Sequence, residues 1–458
     1  MEKWRNGEIK NDENILSFPS HSIILGARSA LFLPFSKLGL VIIDEEHDSS
    51  YKQYDPNPRY NARDAAIYLA HQHQANILLG SATPALESYF NAKHGKYELV
   101  TLNKRFGDIL LPEVQIANIK EATRLKQMKS HFSPVLLAAL DQALANKEQV
   151  ILFQNRRGFS LRMECTACHH IPDCRHCDVT LIYHKREKHL KCHYCGYSEP
   201  VPHRCPKCEH PEMNLIGFGT EKVEEELALL YPEIRIARMD LDTTRSKHAH
   251  HRIISDFEER RVDVLTGTQM VTKGLDFDNV SLVGILNADN MISFPDFRSF
   301  ERSYQMMAQV SGRAGRKNKQ GKVVIQTRNP QHPVIKLVID NDYEGMYQVQ
   351  IAERRQFNYP PYSRLVKLSL KHKEPDPLNK AAAELARALR KEFPKQILGP
   401  EYPVVSRIRN YYIKEILIKL KRDATLAESK QKIRSMIEVF LKTTEHKQVR
   451  VVVDVDPV

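Results

Sequence analysis

Chemistry in this sequence is concentrated at three places. The first is a run of eight cysteines, arranged as four Cys-x2-Cys pairs: Cys165/Cys168, Cys174/Cys177, Cys192/Cys195 and Cys205/Cys208. A Cys-x2-Cys turn aims two thiolates at one ion, and two such turns complete a closed tetrahedral site. Four pairs thus provide for two Zn²⁺ ions that hold shape rather than react. A disulfide framework would spread its cysteines along the chain and would need an oxidising compartment. The spacing alone admits sequential pairing (first two turns, last two turns) or nested pairing (outer turns, inner turns). The histidines nearby, His169, His170, His176, His193, His203 and His210, read as surface, because eight thiolates already suffice.

The second place is Asp44-Glu45-Glu46-His47, which follows the apolar run Leu38 to Ile43. The C-terminal end of a buried strand is where an α/β sheet presents ligand-binding groups. Asp44 is placed to hold Mg²⁺, and Glu45 to orient or activate the water in phosphoanhydride hydrolysis. Glu46 and His47 complete the nucleotide-facing turn. Gly80-Ser81-Ala82-Thr83-Pro84 ends the next apolar strand, where small hydroxyls can bond to the acids.

The third place is a pair of later segments. Gly267-Thr268-Gln269-Met270-Val271-Thr272-Lys273-Gly274-Leu275-Asp276-Phe277 offers Gly274 and Asp276 to nucleotide and Thr268 to nucleic acid. Gln309-Val310-Ser311-Gly312-Arg313-Ala314-Gly315-Arg316 offers Gln309 and Gly312 to nucleotide. Its arginines Arg313 and Arg316, three apart, share one helix face. Pointed into a cleft, they neutralise charge developing on a γ-phosphate.

The elements that must position these groups alternate between strand and helix. That pattern implies parallel α/β sheets. One block covers residues 1–122 and carries the acids. A second covers 123–160 and 215–345 and carries the arginines. The cysteine segment, 161–214, is an insertion in a loop of this second sheet. Residues 346–458 read as strand, helix, strand, helix, strand, a small two-layer α+β domain. There, 23 Lys and Arg stand against 13 Asp and Glu, nearly the whole of the chain's +12. An excess of that sign favours polyanionic partners, chiefly nucleic acid. No apolar run approaches the roughly 18 residues needed to span a bilayer. The first residues, MEKWRNGEIKNDEN, carry no signal-peptide pattern, so the reading is a cytoplasmic monomer with no membrane partner.

Taken in order, the acid turn, the GSATP segment, the GTQMVTKGLDF segment and QVSGRAGR resemble the motifs of superfamily 2 helicases. Three further features narrow the resemblance. Gly26-Ala27-Arg28-Ser29-Ala30 precedes the acids, and Arg28 and Ser29 would touch DNA. The segment after the acids interleaves Tyr51, Tyr54 and Tyr60 with Lys52, Arg59 and Arg63, a mix suited to stacking on bases and pairing phosphates of a single strand. The eight-cysteine insertion sits inside the second lobe. Together these resemble the primosomal protein N′ family of replication-restart helicases, from about residue 20 onward. The resemblance implies two RecA-like lobes, the first incomplete, with ATP and Mg²⁺ between them. It also implies a two-zinc module in which Cys165, Cys168, Cys205 and Cys208 hold one ion and Cys174, Cys177, Cys192 and Cys195 the other. The activity implied is ATP-driven 3′–5′ unwinding at stalled forks and D-loops in the nucleoid. The implied partners are single-stranded-DNA-binding protein, primosome proteins and the replicative helicase loader. The C-terminal domain would bind DNA at the branch, and the loop after the acids would couple DNA binding to hydrolysis.

Three departures stand out. No GxxxxGK[ST] occurs in the 458 residues, so no such loop cradles the phosphates or sets a lysine on them. The family's N-terminal DNA-binding domain is also missing, and Ala27 stands where Thr is usual. The expectation is a truncated chain that binds zinc and DNA but hydrolyses ATP poorly. The rivals are a RecG-like translocase and a non-enzymatic zinc- and DNA-binding remnant.

Overall fold

The structure is a computed structural model of the chain. It describes residues 23–102, 110–155, 162–168, 170–184, 188–192, 194–216, 219–240, 243–244, 246–272, 277–315, 320–443 and 446–457. The chain divides into two compact units, residues 1–80 and 81–458.

In the first unit, the strands Leu40–Ile43 and Asn76–Leu79 pair in parallel, and the helix Ala62–Gln72 connects them. Ala62, Ala66 and Ala70, one helical turn apart, are fully buried, so the small side chains let the helix lie close to the strands. Asn61 caps the helix by accepting from the Arg63 and Asp64 amides. Ahead of the first strand lies a 3₁₀ turn, Arg28–Phe32.

The second unit is built on a six-stranded parallel sheet. Its order is Ile236–Met239, Val264–Gly267, Gln149–Phe153, Val280–Ile285, Lys322–Thr327, Glu113–Asn118. Its central strands are buried on both faces, which is why they read as unbroken apolar runs. Val150, Leu152, Leu282 and Val324 face the helices Pro134–Ala145 and Thr220–Leu230. The alternate residues Ile151, Phe153, Val283 and Ile325 face the helices Ser299–Ser311, Pro333–Ile339 and Tyr343–Gln356. Glu113–Asn118 lies in residues the sequence reading gave to the first block. It is instead an edge strand of this sheet, in register with Lys322–Thr327. The helix Leu86–Lys93 packs here too, through Leu86.

The cysteine module leaves the sheet after Gln149–Phe153 and returns before Thr220–Leu230, as an insertion. The antiparallel pair Arg162–Cys165 and Met213–Ile216 forms its base, and Ile182–His184, His189–Lys191 and Ser198–Pro200 form a small sheet inside it. The C-terminal domain has an antiparallel sheet ordered Ile397–Glu401, Tyr411–Lys421, Ser363–His372, Arg450–Val455. The helices Pro375–Glu392 and Leu426–Lys442 cover one face of it, over Val366, Leu368, Leu370, Ile416 and Ile418. This is the two-layer α+β domain that the sequence suggested.

A column of rings and cations joins this domain to the parallel sheet. Phe297 and Tyr359 stack at 4.2 Å with their planes parallel within 3°, and the Lys419 ammonium lies 3.5 Å from the Tyr359 centroid. Beside Phe297 lies a cluster of buried charge. The Arg354 guanidinium bonds to Glu301 at 2.5 Å, Glu87 at 3.1 Å and the Pro360 carbonyl at 3.1 Å. Arg298 bonds to Glu87 at 2.6 Å. Burial opposes the Arg298 charge, but the two carboxylates outweigh it and hold its pKa above the ordinary value. Among the described residues, no helix is long and apolar enough to cross a membrane.

Candidate metal centres and motor site

The eight thiols gather into two groups of four: Cys165, Cys168, Cys205 and Cys208, and Cys174, Cys177, Cys192 and Cys195. The pairing is therefore nested. Within each group all Sγ atoms lie within 4.8 Å of one another. Specific separations are 3.6 Å for Cys165–Cys208 and Cys168–Cys205, and 3.5 Å for Cys174–Cys195. A tetrahedron with Zn–S bonds of about 2.3 Å has edges of about 3.8 Å, while a disulfide needs about 2.05 Å. The donor sets thus fit Zn²⁺ and not disulfides. Burial pushes the Cys174 thiol up to about 11 and that of Cys177 up to about 12. Zinc binding at a thiol site releases the thiol protons. Local amides shape three of the four knuckles: those of His176, Tyr197 and Lys207 donate to Cys174, Cys195 and Cys205, each at 3.4 Å.

In the first unit, the acid turn follows Leu40–Ile43, in which only Ile43 is buried while Leu40 and Ile42 are exposed, so the buried strand that the sequence suggested is corrected. Asp44 is exposed and its Oδ1 accepts from the Glu45 amide at 3.0 Å. Glu45 takes a left-handed backbone, φ 48°, which is uncommon for a residue with a Cβ. The Gly80 amide donates to the Ile43 carbonyl, and the Glu46 amide to the Gly80 carbonyl, so the start of GSATP is stitched to the acid turn. Glu46 does not face outward: its side chain is 1% exposed and accepts from Arg63 at 2.9 Å. Arg63, grouped by sequence with the DNA-facing cations, is thus an internal anchor. The His47 ring is buried too, 3.6 Å from the Glu45 carboxylate.

The aromatic loop is built onto this turn. The Tyr51 hydroxyl donates to the Asp44 carbonyl at 2.6 Å. Burial, then the nearby acids beginning with Asp44, raise its pKa. Arg28 donates to the Lys52 carbonyl at 2.8 Å, and Phe32 meets Tyr60 edge to face at 5.2 Å. The expectation that Lys52 faces DNA is corrected: it is 2% exposed, with its ammonium 3.4 Å from the Arg59 carbonyl. Arg59 and Tyr60 are half-buried, while Tyr54 and Ser29 are exposed.

In the second unit, Ser299–Ser311 carries Gln309 and closes at Gly312, so Arg313, half-buried, lies in the turn after the helix and not on a helix face as the sequence suggested. The Gly315 amide donates to the Val280 carbonyl at 2.9 Å, which fixes the turn against the sheet. Thr268 is half-buried after Val264–Gly267, its amide bonded to the Met239 carbonyl. Arg316, Gly274 and Asp276 lie outside the described residues. Sequence reasoning missed Gln305 and Glu301 on the same helix. Gln305 donates to the Thr83 and Pro84 carbonyls at 3.2 Å, and Glu301 accepts from the Leu86 amide at 2.9 Å. The GSATP segment and the helix Ser299–Ser311 are thereby tied together.

The parallel sheet covered on both faces carries an inserted module of eight cysteines in two groups of four, and residues 210–318 match the helicase conserved C-terminal domain. Residues 174–200 match the PriA DNA helicase Cys-rich region domain, and residues 355–458 the primosomal protein N C-terminal domain. The chain is strongly homologous to replication restart protein PriA. It is 44% identical over 437 residues to that protein from Bacillus subtilis, covering 95% of this chain and 54% of the relative. It is 41% identical to that of Synechocystis, covering 87% and 49%, and 37% identical to that of Chlamydia pneumoniae, covering 92% and 58%. The chain thus spans about half the length of these relatives.

Proposed function

We propose that this chain is the zinc-bearing part of an ATP-dependent 3′–5′ DNA helicase that acts at stalled forks and D-loops in replication restart. In this reading Asp44 holds Mg²⁺, which polarises the phosphates when bound. Glu45 takes up the proton of the attacking water, and Arg313 and Arg316 offset charge on the γ-phosphate. Gln309, Gly312, Gly274 and Asp276 line the nucleotide. Glu46 and His47 act from behind, holding the acid turn in shape. Arg28, Ser29, Tyr51, Tyr54, Arg59, Tyr60 and Thr268 serve the DNA strand, and the basic domain from about residue 346 serves the branch. Single-stranded-DNA-binding protein, primosome proteins and the helicase loader are the partners, in the cytoplasm.

The observation that carries this reading is the Tyr51–Asp44 bond. It joins a loop rich in exposed and half-buried aromatics to the turn that bears the hydrolytic acids. A strand that moves the loop therefore moves the acids. Taken alone, the chain has no GxxxxGK[ST], and we propose that it binds forked DNA and two zinc ions while hydrolysing ATP poorly. Titration of the purified chain with labelled forked DNA tests this reading. Salt-dependent binding supports it, and no binding by the zinc-loaded chain overturns it.

A further inference from the structure

One thiolate of the inner cysteine group receives its amide from far along the chain. Three knuckle amides reach their sulfurs locally, two residues on. Cys177 instead accepts from the Arg409 amide, at 3.2 Å across 232 positions of sequence. Arg409 and Asn410 form the tip of a hairpin in which Arg407–Ile408 pairs with Tyr411 and Tyr412. Both tip residues are left-handed, φ 52° and 62°, the geometry of a tight two-residue turn that favours Asn-Gly. Arg in the first of these places is held against its preference, so the surroundings must stabilise it.

Those surroundings are the inner cysteine knuckle. The Asp178 amide donates to the Arg407 carbonyl at 2.9 Å, and the Asn410 amide to the His176 carbonyl at 2.8 Å. Arg407 Nε and Ser406 Oγ both donate to the Asp178 carboxylate, the former at 2.9 Å. His176 Nδ1 lies 3.1 Å from Asn410 Oδ1, and Arg409 Nε donates to the Tyr194 carbonyl at 3.2 Å. Ile408 packs on the module's small core. Four thiolates around Zn²⁺ leave two net negative charges, and the hairpin brings Arg407 and Arg409 to them. An N–H donor is stronger toward a metal-bound thiolate than toward a neutral thiol.

We propose that the Arg409 hairpin is an outer-sphere positioning element of the inner zinc site, and that zinc there clasps the C-terminal domain to the cysteine module. The outer site, closed on the base strands, has no such role. The inference rests on the zinc sites and not on ATP hydrolysis. Outer-sphere partners of metal ligands typically change affinity 10–100-fold, and the coupling must be reciprocal.

The test uses the full chain loaded with two zinc ions, compared with Asp178→Ala, which leaves every thiolate in place. Equilibrium competition with a chromogenic chelator reads both zinc affinities. The expected result is one zinc weakened roughly tenfold and the other unchanged. Hydrogen–deuterium exchange over residues 403–412 is then compared between Cys195→Ser (inner site) and Cys208→Ser (outer site). Faster exchange at Arg409 and Asn410 is expected only for Cys195→Ser. Unchanged zinc affinities in Asp178→Ala, or equal exchange in the two cysteine variants, would overturn the proposal.

Discussion

Removing one partner from the buried charge cluster gives a sharp prediction. Arg354 is 1% exposed and Glu301 4%, bonded at 2.5 Å, with Glu87 and Arg298 alongside. Arg354→Met leaves Glu301 with the Leu86 amide at 2.9 Å and Arg298 at the longer 3.5 Å. Two carboxylates then share one guanidinium out of water. Breaking a buried pair from one side costs about 3–5 kcal/mol, against about 0–1 kcal/mol for an exposed pair. The double variant Glu301→Gln/Arg354→Met removes one charge of each sign. It is expected to recover at least half of that loss, because no charge is then left uncompensated. Urea unfolding of the zinc-loaded chain, followed by circular dichroism, measures both. A loss below about 1 kcal/mol for Arg354→Met would refute the assignment of this cluster as a buried, desolvated joint. A double variant as unstable as the single one would refute the charge-balance argument.

Three other outcomes follow from the same geometry. A methyl at Gly321 would overlap the backbone of Ala314 and Gly315. Gly321→Ala should thus cost about 1–3 kcal/mol and speed hydrogen exchange through the arginine turn. Tyr51→Phe removes one bond to the acid turn, about 1 kcal/mol, and should loosen residues 51–60 in hydrogen exchange while leaving Ala62–Gln72 protected. The Arg235 guanidinium beside Asp263 holds that carboxyl below its ordinary value. The folded pKa is depressed, so the pair's contribution is present above about pH 4 and is lost as pH falls through the lower folded value. Arg235→Ala should flatten the fall in unfolding midpoint below pH 4, read by acid-dependent urea melts.

Much of this architecture was legible because strong local signals carry it. Unbroken apolar strands announced a sheet buried on both faces, and clustered Cys-x2-Cys turns announced metal. Spacing left the zinc pairing open, since nesting depends on how the base strands Arg162–Cys165 and Met213–Ile216 meet. Glu113–Asn118 escaped notice because the edge strand EVQIAN is short and half polar, with little periodicity to read. Lys52 and Arg63 looked like DNA contacts from composition, yet the fold turns both inward, one to a carbonyl and one to Glu46. The Arg298, Arg354, Glu87 and Glu301 cluster and the Arg409 clasp join segments more than fifty residues apart, and no local pattern encodes such pairings.

The most direct test of the functional account is ATP turnover by the purified chain, with zinc content measured in the same preparation and with and without forked DNA. The account predicts about two zinc ions per chain, DNA binding, and turnover no greater than that of Glu45→Gln. DNA-stimulated turnover that vanishes in Glu45→Gln would contradict it and would mean that another segment of these 458 residues grips the phosphates.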